Sequence, residues 1–210
     1  MPLAAQTAGV VAVEPLPAMR GYLEAGVREA GITNVQIVPA PWQEAQVPVC
    51  DVALCSHVLY SVPDIVGFVG KFIEHCSGHS FIAIRTGQRD AQLLDLCQRV
   101  HGEPKVAEPG FIELYNLLYQ RFSIVAHCEA VSFRGPSNPL GTFETVNAAA
   151  AAVREQLYVA PGSAGDAVIG DYLRAHLVFG EGGELLLPGL RVGAAILWWD
   201  NRPRGWNRLG

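Results

Sequence analysis

The sequence predicts an α/β fold built on a doubly wound, mostly parallel sheet. Three observations predict it. Val10 to Val13, Val35 to Val38, Asp51 to Tyr60 and Phe81 to Ile84 read as short strands, with apolar, buried-type runs at Val10 to Val13 and Val52 to Cys55. Segments of helical spacing alternate with them, at Pro17 to Gly31, Asp64 to Cys76 and Asp90 to Val100. The connections are short, and strand–helix alternation with short loops is the pattern of a parallel sheet covered by helices.

The composition bounds the function. The chain has 210 residues, enough for one domain of α/β size, and the sequence is read as a single domain over residues 1–210. Hydrophobic residues make up 50% and charged residues 17%, which is a globular composition. The net charge is -5 with no Lys/Arg cluster, which argues against a nucleic-acid partner. No apolar run reaches the roughly 18 residues of a membrane span, and no basic segment precedes a long apolar stretch as in a secretory signal. Five cysteines (Cys50, Cys55, Cys76, Cys97, Cys128) are scattered without CxxC spacing. They read as reduced, mostly buried thiols of a cytoplasmic protein. The histidines lack HxxxH or HExxH spacing, so no metal site is expected.

In order along the chain, Met1 to Gly9 reads as the last turns of a helix closed by Gly9. The strand from Val10 ends in Glu14-Pro15, a carboxylate at its C-terminal end. Met19, Tyr22, Leu23 and Val27 share one face of the next helix, which Gly31 stops. Pro39 to Pro48 is a loop carrying Trp42 and Glu44. The strand at Asp51 leads into Ser56 and His57, and Pro63-Asp64 suits a helix start. In open α/β sheets ligands sit beyond the carboxyl ends of the strands, so Cys55, Ser56 and His57 mark the first place to look for chemistry.

After Val100 the rhythm changes. Gly110 to Gln120 is a short amphipathic helix, and Ser123 to Phe133 a longer strand. Gly135 to Gly141 is a loop. Thr142 to Leu157 is an Ala-rich helix with Thr142 as its N-cap, and Asp166 to Phe179 is another helix. Gly180 to Gly183 is a turn. Ala194 to Trp199 is the last strand, with Trp198 and Trp199 on opposite faces. The tail Asp200 to Gly210 is polar.

These pieces, in this order, resemble a class I S-adenosylmethionine-dependent methyltransferase. VVAVEP (Val10 to Pro15) resembles that family's second strand, PAPWQEA (Pro39 to Ala45) its adenine loop, DVALCSHVLYSVPDI (Asp51 to Ile65) its fourth strand and following helix, and FIAIRTG (Phe81 to Gly87) its fifth strand. The resemblance implies a Rossmann-like fold whose two late strands are an antiparallel pair, with a helical insert at approximately residues 135–190. The sequence departs from the family in one place. No strand and Gly-rich loop precede the strand that ends in Glu14, and Gly180 to Gly183 lies elsewhere. The expectation is an N-terminally incomplete fold, from a longer or a truncated protein, with two strand edges open and weak cofactor binding.

The resemblance implies roles for single residues. Glu14 accepts hydrogen bonds from both ribose hydroxyls. Trp42 packs on adenine or covers the edge of the core, and Glu44 accepts from the adenine amino group. Cys55 and Ser56 lie along the methionine moiety through their backbones. His57 is either a general base near the transferred methyl or a histidine bonded at a strand end. Tyr60 reads as packing. Tyr115, Asn116 and Tyr119 line an acceptor pocket or belong to the core, since Tyr115 and Tyr119 share a helical face.

The expected activity is methyl transfer from S-adenosylmethionine to a small-molecule acceptor. The first alternative is a non-catalytic, methyltransferase-like subunit whose sheet is completed by a partner chain or a second copy. A weaker alternative is a nicotinamide-dependent oxidoreductase, which also uses a ribose-binding carboxylate after its second strand.

Overall fold

The computed structural model describes residues 2–86, 91–104, 108–131, 142–188 and 193–202. It is a mixed α/β protein with a mostly parallel central sheet. β1 (Val10–Val13) and β2 (Val35–Val38) form one parallel pair, with Val10 opposite Val35 and Val13 opposite Val38. β3 (Cys50–Ser56), β4 (Cys76–Arg85), β5 (His127–Val131) and β8 (Ala194–Asp200) form a second sheet in the order β3-β4-β8-β5. β6 (Val178–Phe179) and β7 (Leu185–Leu186) form a separate hairpin. The helices are α1 (Pro17–Glu29), α2 (Ile65–Glu74), α3 (Ala91–His101), α4 (Phe111–Phe122), α5 (Val146–Leu157) and α6 (Ala164–His176). Among the described residues no helix is long and apolar enough to cross a membrane.

The chain divides into two compact units. The first comprises Met1–Leu54, Val62–Phe81 and Trp199–Gly210. Its N-terminal turn differs from the expected helix end. Gln6 N–H and Thr7 Oγ1 both donate to Leu3 O at 3.0 Å, and Asn34 Nδ2 donates to Ala4 O at 2.8 Å and to Thr7 O. Gly9 is not among the positive-φ glycines, so it is no helix cap. Gly31 does stop α1, at φ 63°. The expected apolar face of α1 is covered only in part, with Leu23 and Val27 half-buried. The helix has no buried residue, and Met19 and Tyr22 are 51% and 76% exposed. Periodicity identifies a helix, but a stripe is buried only where another layer meets it.

β3 stops at Ser56, four residues before the expected end. His57 takes φ 57°, the left-handed region, and Leu59–Ser61 coil into a 3-10 turn. Asp64 then caps α2, its Oδ1 accepting from Gly67 N–H at 2.9 Å, and α2 buries Phe68, Val69 and Phe72. β4 is longer than Phe81 to Ile84, because a strand with neighbours on both sides is held extended even where Ser77, Gly78 and His79 are weak strand formers. Gly78 is required there: a Cβ would lie 2.3 Å from Asp51 O. Beside it, Asn201 N–H donates to Gly78 O at 2.7 Å, and Asn201 Nδ2 donates to the fully buried Ser80 Oγ at 2.8 Å.

The second unit comprises Cys55–Ser61 and Ile82–Trp198. Its core joins α3, α5 and α6 through Leu93, Leu96, Val153, Leu157, Ile169 and Leu173. β5 and β8 run antiparallel, with His127 opposite Trp198 and Val131 opposite Ala194, so the expected late antiparallel pair is present. β5 starts at His127 because Ser123, at φ 55°, closes α4. The N-cap of α5 is Thr145, whose Oγ1 accepts from Ala148 N–H at 3.1 Å. Thr142 is not the cap, because Phe143 is first tied to Leu185 by a reciprocal pair of backbone hydrogen bonds. Ser163 caps α6, which ends at His176, and Val178–Phe179 are strand. The Gly180 to Gly183 turn therefore joins two strands. Trp199 is buried, while Trp198 stacks on His127 at 4.0 Å. Only Cys55 and Cys76 of the five free cysteines are buried; Cys50 and Cys97 are half-buried and Cys128 is exposed. Gly87, Asp90, Phe133, the Gly135 to Gly141 loop and residues 203–210 lie outside the described residues.

Two glycine-to-alanine changes should have opposite signs. Gly21 lies inside α1 with nothing within 4 Å of an added Cβ, so Gly21→Ala should stabilise by about 0.5–1 kcal/mol. Gly78→Ala forces a side chain against the β3 backbone and should destabilise by about 1–3 kcal/mol. Urea titrations of the two variants check the pair. A Gly78→Ala midpoint equal to the parent's would contradict the close strand approach.

Candidate functional site

The end of β3 carries a hydrogen-bonded polar cluster in the second unit. Cys55 is buried and Ser56 and His57 are exposed. Burial pushes the Cys55 thiol up to about 12, against a weaker opposing hydrogen bond from the Val58 backbone, so it is a neutral wall and not a thiolate. The backbone turns sharply at His57, where a positive φ is tolerated better by His than by most residues. The turn is tied to β4 by His57 N–H, which donates to Ala83 O at 2.9 Å.

Four side chains converge there. His57 Nδ1 lies 2.7 Å from Tyr60 Oη, and the two rings are stacked with centroids 6.1 Å apart. Tyr60 Oη accepts from the backbone N–H of Arg85 at 2.9 Å. The Arg85 guanidinium lies 3.8 Å from the Tyr60 ring centroid and is paired with the Glu108 carboxylate. Loss of water lowers the His57 pKa from 6.5, and the positive charge of Arg85 lowers it further, so the ring is neutral at pH 7. Burial raises the Tyr60 pKa above its ordinary value, so the phenol keeps its proton.

The first unit carries the other cofactor candidates. Glu14 directly follows β1 and extends its ladder, its N–H donating to Val38 O at 3.1 Å. The half-buried carboxylate spends Oε1 on the Leu16 N–H at 2.9 Å, and its other oxygen makes no hydrogen bond among the described residues. Trp42 packs against α2: its Nε1 donates to Phe68 O at 3.0 Å, and its ring meets Phe68, Phe72 and His75 at centroid distances of 6.0, 6.1 and 5.8 Å. Lys71 Nζ, 5.1 Å from that ring centroid, donates to Gln43 O and Ala45 O and so pins the loop. Glu44 is exposed in the same loop, its N–H donating to Pro41 O.

On α4, Leu114 and Leu118 take the buried positions. Tyr115 is half-buried, Asn116 exposed and Tyr119 60% exposed. This stripe is not core. The structure therefore groups His57 with Cys55 and Ser56, and separately places Trp42 and Glu44 in one loop. Three residues of the His57 cluster went unread in the sequence. Tyr60 looked like packing because a hydroxyl's partner is invisible in one dimension. Arg85 did carry a signal, a lone charge closing the apolar run FIAIR, the same signal that marked Glu14. Glu108, in a Pro/Gly loop, carried none.

This architecture is that of known proteins. The YcgJ protein of Bacillus subtilis matches with a TM-score of 0.56 at 9% identity, over 94% of this chain and 84% of that one. The [4+2]-cyclase SpnF matches with a TM-score of 0.53 at 16% identity, over 97% and 71%. Coclaurine N-methyltransferase, in a structure bound to N-methylheliamine and SAH, matches with a TM-score of 0.50 at 14% identity, over 90% and 59%. No protein-family model and no curated protein matches the sequence. The chain has the Rossmann-like fold of class I methyltransferases. Identities this low establish the fold and leave the chemistry to the site.

The His57 midpoint, followed by proton NMR, should fall below 6.5. Because the folded value is depressed, the unfolded chain binds more protons between the two values. Stability from this group is present above 6.5 and lost as pH falls through the folded midpoint. Arg85→Gln removes the nearby positive charge and should raise the midpoint towards 6.5 without reaching it. An unchanged midpoint would remove Arg85 from the account.

Proposed function

We propose that this chain transfers a methyl group from S-adenosylmethionine to a small-molecule acceptor. One observation carries the reading: a carboxylate, Glu14, closes β1 with an oxygen unengaged among the described residues, in a chain of this fold. Each carboxylate oxygen accepts more than one hydrogen bond, so Glu14 can hold a ribose diol while Oε1 keeps the Leu16 N–H. The residues fit the nucleoside end of the cofactor. The cofactor, when bound, supplies an electrophilic methyl on a sulfonium.

This chain's own residues do the rest. Glu14 orients the ribose. The exposed Glu44 takes the adenine amino group, and the part of Trp42 not packed on α2 covers the base. Cys55 and Ser56, in the second unit, are the candidates for the methionine portion through their backbone, and the neutral Cys55 thiol is apolar there. His57 is the candidate beside the methyl acceptor, with Tyr115, Asn116 and Tyr119 as acceptor-binding candidates from α4. Positioning and exclusion of water supply most of the acceleration expected of such a transfer. Nucleic-acid and membrane partners are not part of this reading.

A second reading has an observation of its own. β3 ends its sheet order, and Val52 and Leu54 are 55% and 54% exposed on it. A strand added at that edge, from a partner chain or a second copy, would cover them. Light scattering distinguishes the readings: a stable dimer that Leu54→Lys dissociates supports the subunit, and a monomer with cofactor affinity rejects it.

Calorimetry with S-adenosylhomocysteine tests the leading reading. Binding is expected, and Glu14→Ala should weaken it. Two hydrogen bonds to a charged acceptor contribute about 1.5–3 kcal/mol each. At about 1.4 kcal/mol per decade, affinity falls roughly 100-fold or more. No heat from the parent at millimolar ligand, or equal binding by a folded Glu14→Ala, contradicts the reading.

A further inference from the structure

The hydrogen bonds around Tyr60 decide which ring nitrogen of His57 carries the proton. Tyr60 Oη already accepts from the Arg85 backbone N–H, a group that can only donate. The hydroxyl has one hydrogen left to place. Among the described residues the acceptor within reach is His57 Nδ1, 2.7 Å away, a normal length for an O–H donor. The reverse arrangement, with Nδ1–H donating to Oη, would leave the half-buried hydroxyl hydrogen without a described partner. It would also direct two N–H groups at one oxygen. We infer that Tyr60 is a positioning residue that holds His57 as the Nε2–H tautomer, so that the site offers its acceptor molecule a hydrogen-bond donor and not a base.

The surrounding charges agree with a neutral ring. Arg85 lies beneath the Tyr60 ring and opposes protonation of His57, and Glu108 holds Arg85 in that place. The guanidinium under the ring and the N–H on the oxygen together fix the phenol in plane and in rotation. His57 itself sits on the constrained turn after Ser56, with its N–H bound to Ala83 O. Both partners of the 2.7 Å bond are therefore held by other contacts.

The tautomer follows from geometry alone, whereas its chemical consequence rests on the methyl-transfer reading. An Nε2–H selects a molecule with an oxygen or nitrogen lone pair beside the atom to be methylated. It cannot remove a proton from that atom, because Nε2 has no lone pair to offer while Nδ1 is occupied by the Tyr60 hydroxyl. The implied substrate class is an acceptor that is already nucleophilic when neutral, or that arrives deprotonated, and that carries a carbonyl, carboxylate or hydroxyl oxygen for recognition.

Long-range proton–nitrogen NMR on the full, 15N-labelled chain near pH 7.5 tests the inference. The His57 signals are assigned by their loss in His57→Asn, a residue that tolerates the same backbone turn. The expected spectrum has a proton on Nε2 alone, with Nδ1 bare and hydrogen-bonded. In Tyr60→Phe the Nδ1 signal should shift towards the average of the two tautomers, because nothing then holds the ring. A proton on Nδ1 in the parent, or an Nδ1 signal that Tyr60→Phe leaves in place, overturns the inference. The parent spectrum alone decides if Tyr60→Phe does not fold. Calorimetry with S-adenosylhomocysteine reports separately on the methyl-transfer reading, since it is blind to the tautomer.

Discussion

The backbone reversal at His57 is the constraint on which the candidate site depends. A strand that continued to Tyr60 would alternate its side chains between two faces and would set His57 and Tyr60 on opposite sides of the sheet. The left-handed residue at His57 and the following 3-10 turn instead bring the two rings together, 2.7 Å apart at their polar atoms. The bond from His57 N–H to Ala83 O and the bond from Arg85 N–H to Tyr60 Oη fasten this turn to the strand beside it, two residues apart on β4. A strained residue is affordable where its surroundings over-determine it, and such places concentrate at functional sites.

Much of the architecture was legible in the sequence. The runs at Val10 and Val35 formed strands with the expected bounds, because short runs rich in β-branched residues (VVAV and VQIV) between turn signals leave little choice. The Pro63-Asp64 start and the Gly31 stop also held, since both act through their own backbone and nearest neighbours. Errors collected where tertiary contacts override local preference. β4 incorporates Cys76 to Ser80 through pairing on both of its edges, and Val178–Phe179 left the helical pattern of α6 to pair with β7. The Thr142 cap failed for a related reason: the Phe143–Leu185 bridge holds the chain extended until Thr145.

The candidate site was legible in outline only. Charged or polar residues that terminate apolar runs pointed to Glu14, Ser56 and His57, and the same rule applied to Arg85 would have found it. What no single sequence can display is who bonds to whom. Tyr60 is interchangeable with Phe by pattern, and only the three-dimensional meeting with Arg85 and His57 gives its hydroxyl a task. Trp42 shows the converse. Its aromatic character suggested a nucleobase, and much of its surface and its N–H go to α2.

Fold likeness leaves the reaction open, as the match to a protein named a [4+2]-cyclase alongside one named an N-methyltransferase illustrates. Methyl transfer by this chain therefore depends on the carboxylate at the end of β1. A crystal structure of the chain soaked or grown with S-adenosylhomocysteine examines it most directly. The expected density shows the ribose with both hydroxyls on the Glu14 carboxylate. Well-ordered ligand bound away from Glu14, with that carboxylate contacting nothing but the Leu16 N–H, would contradict it.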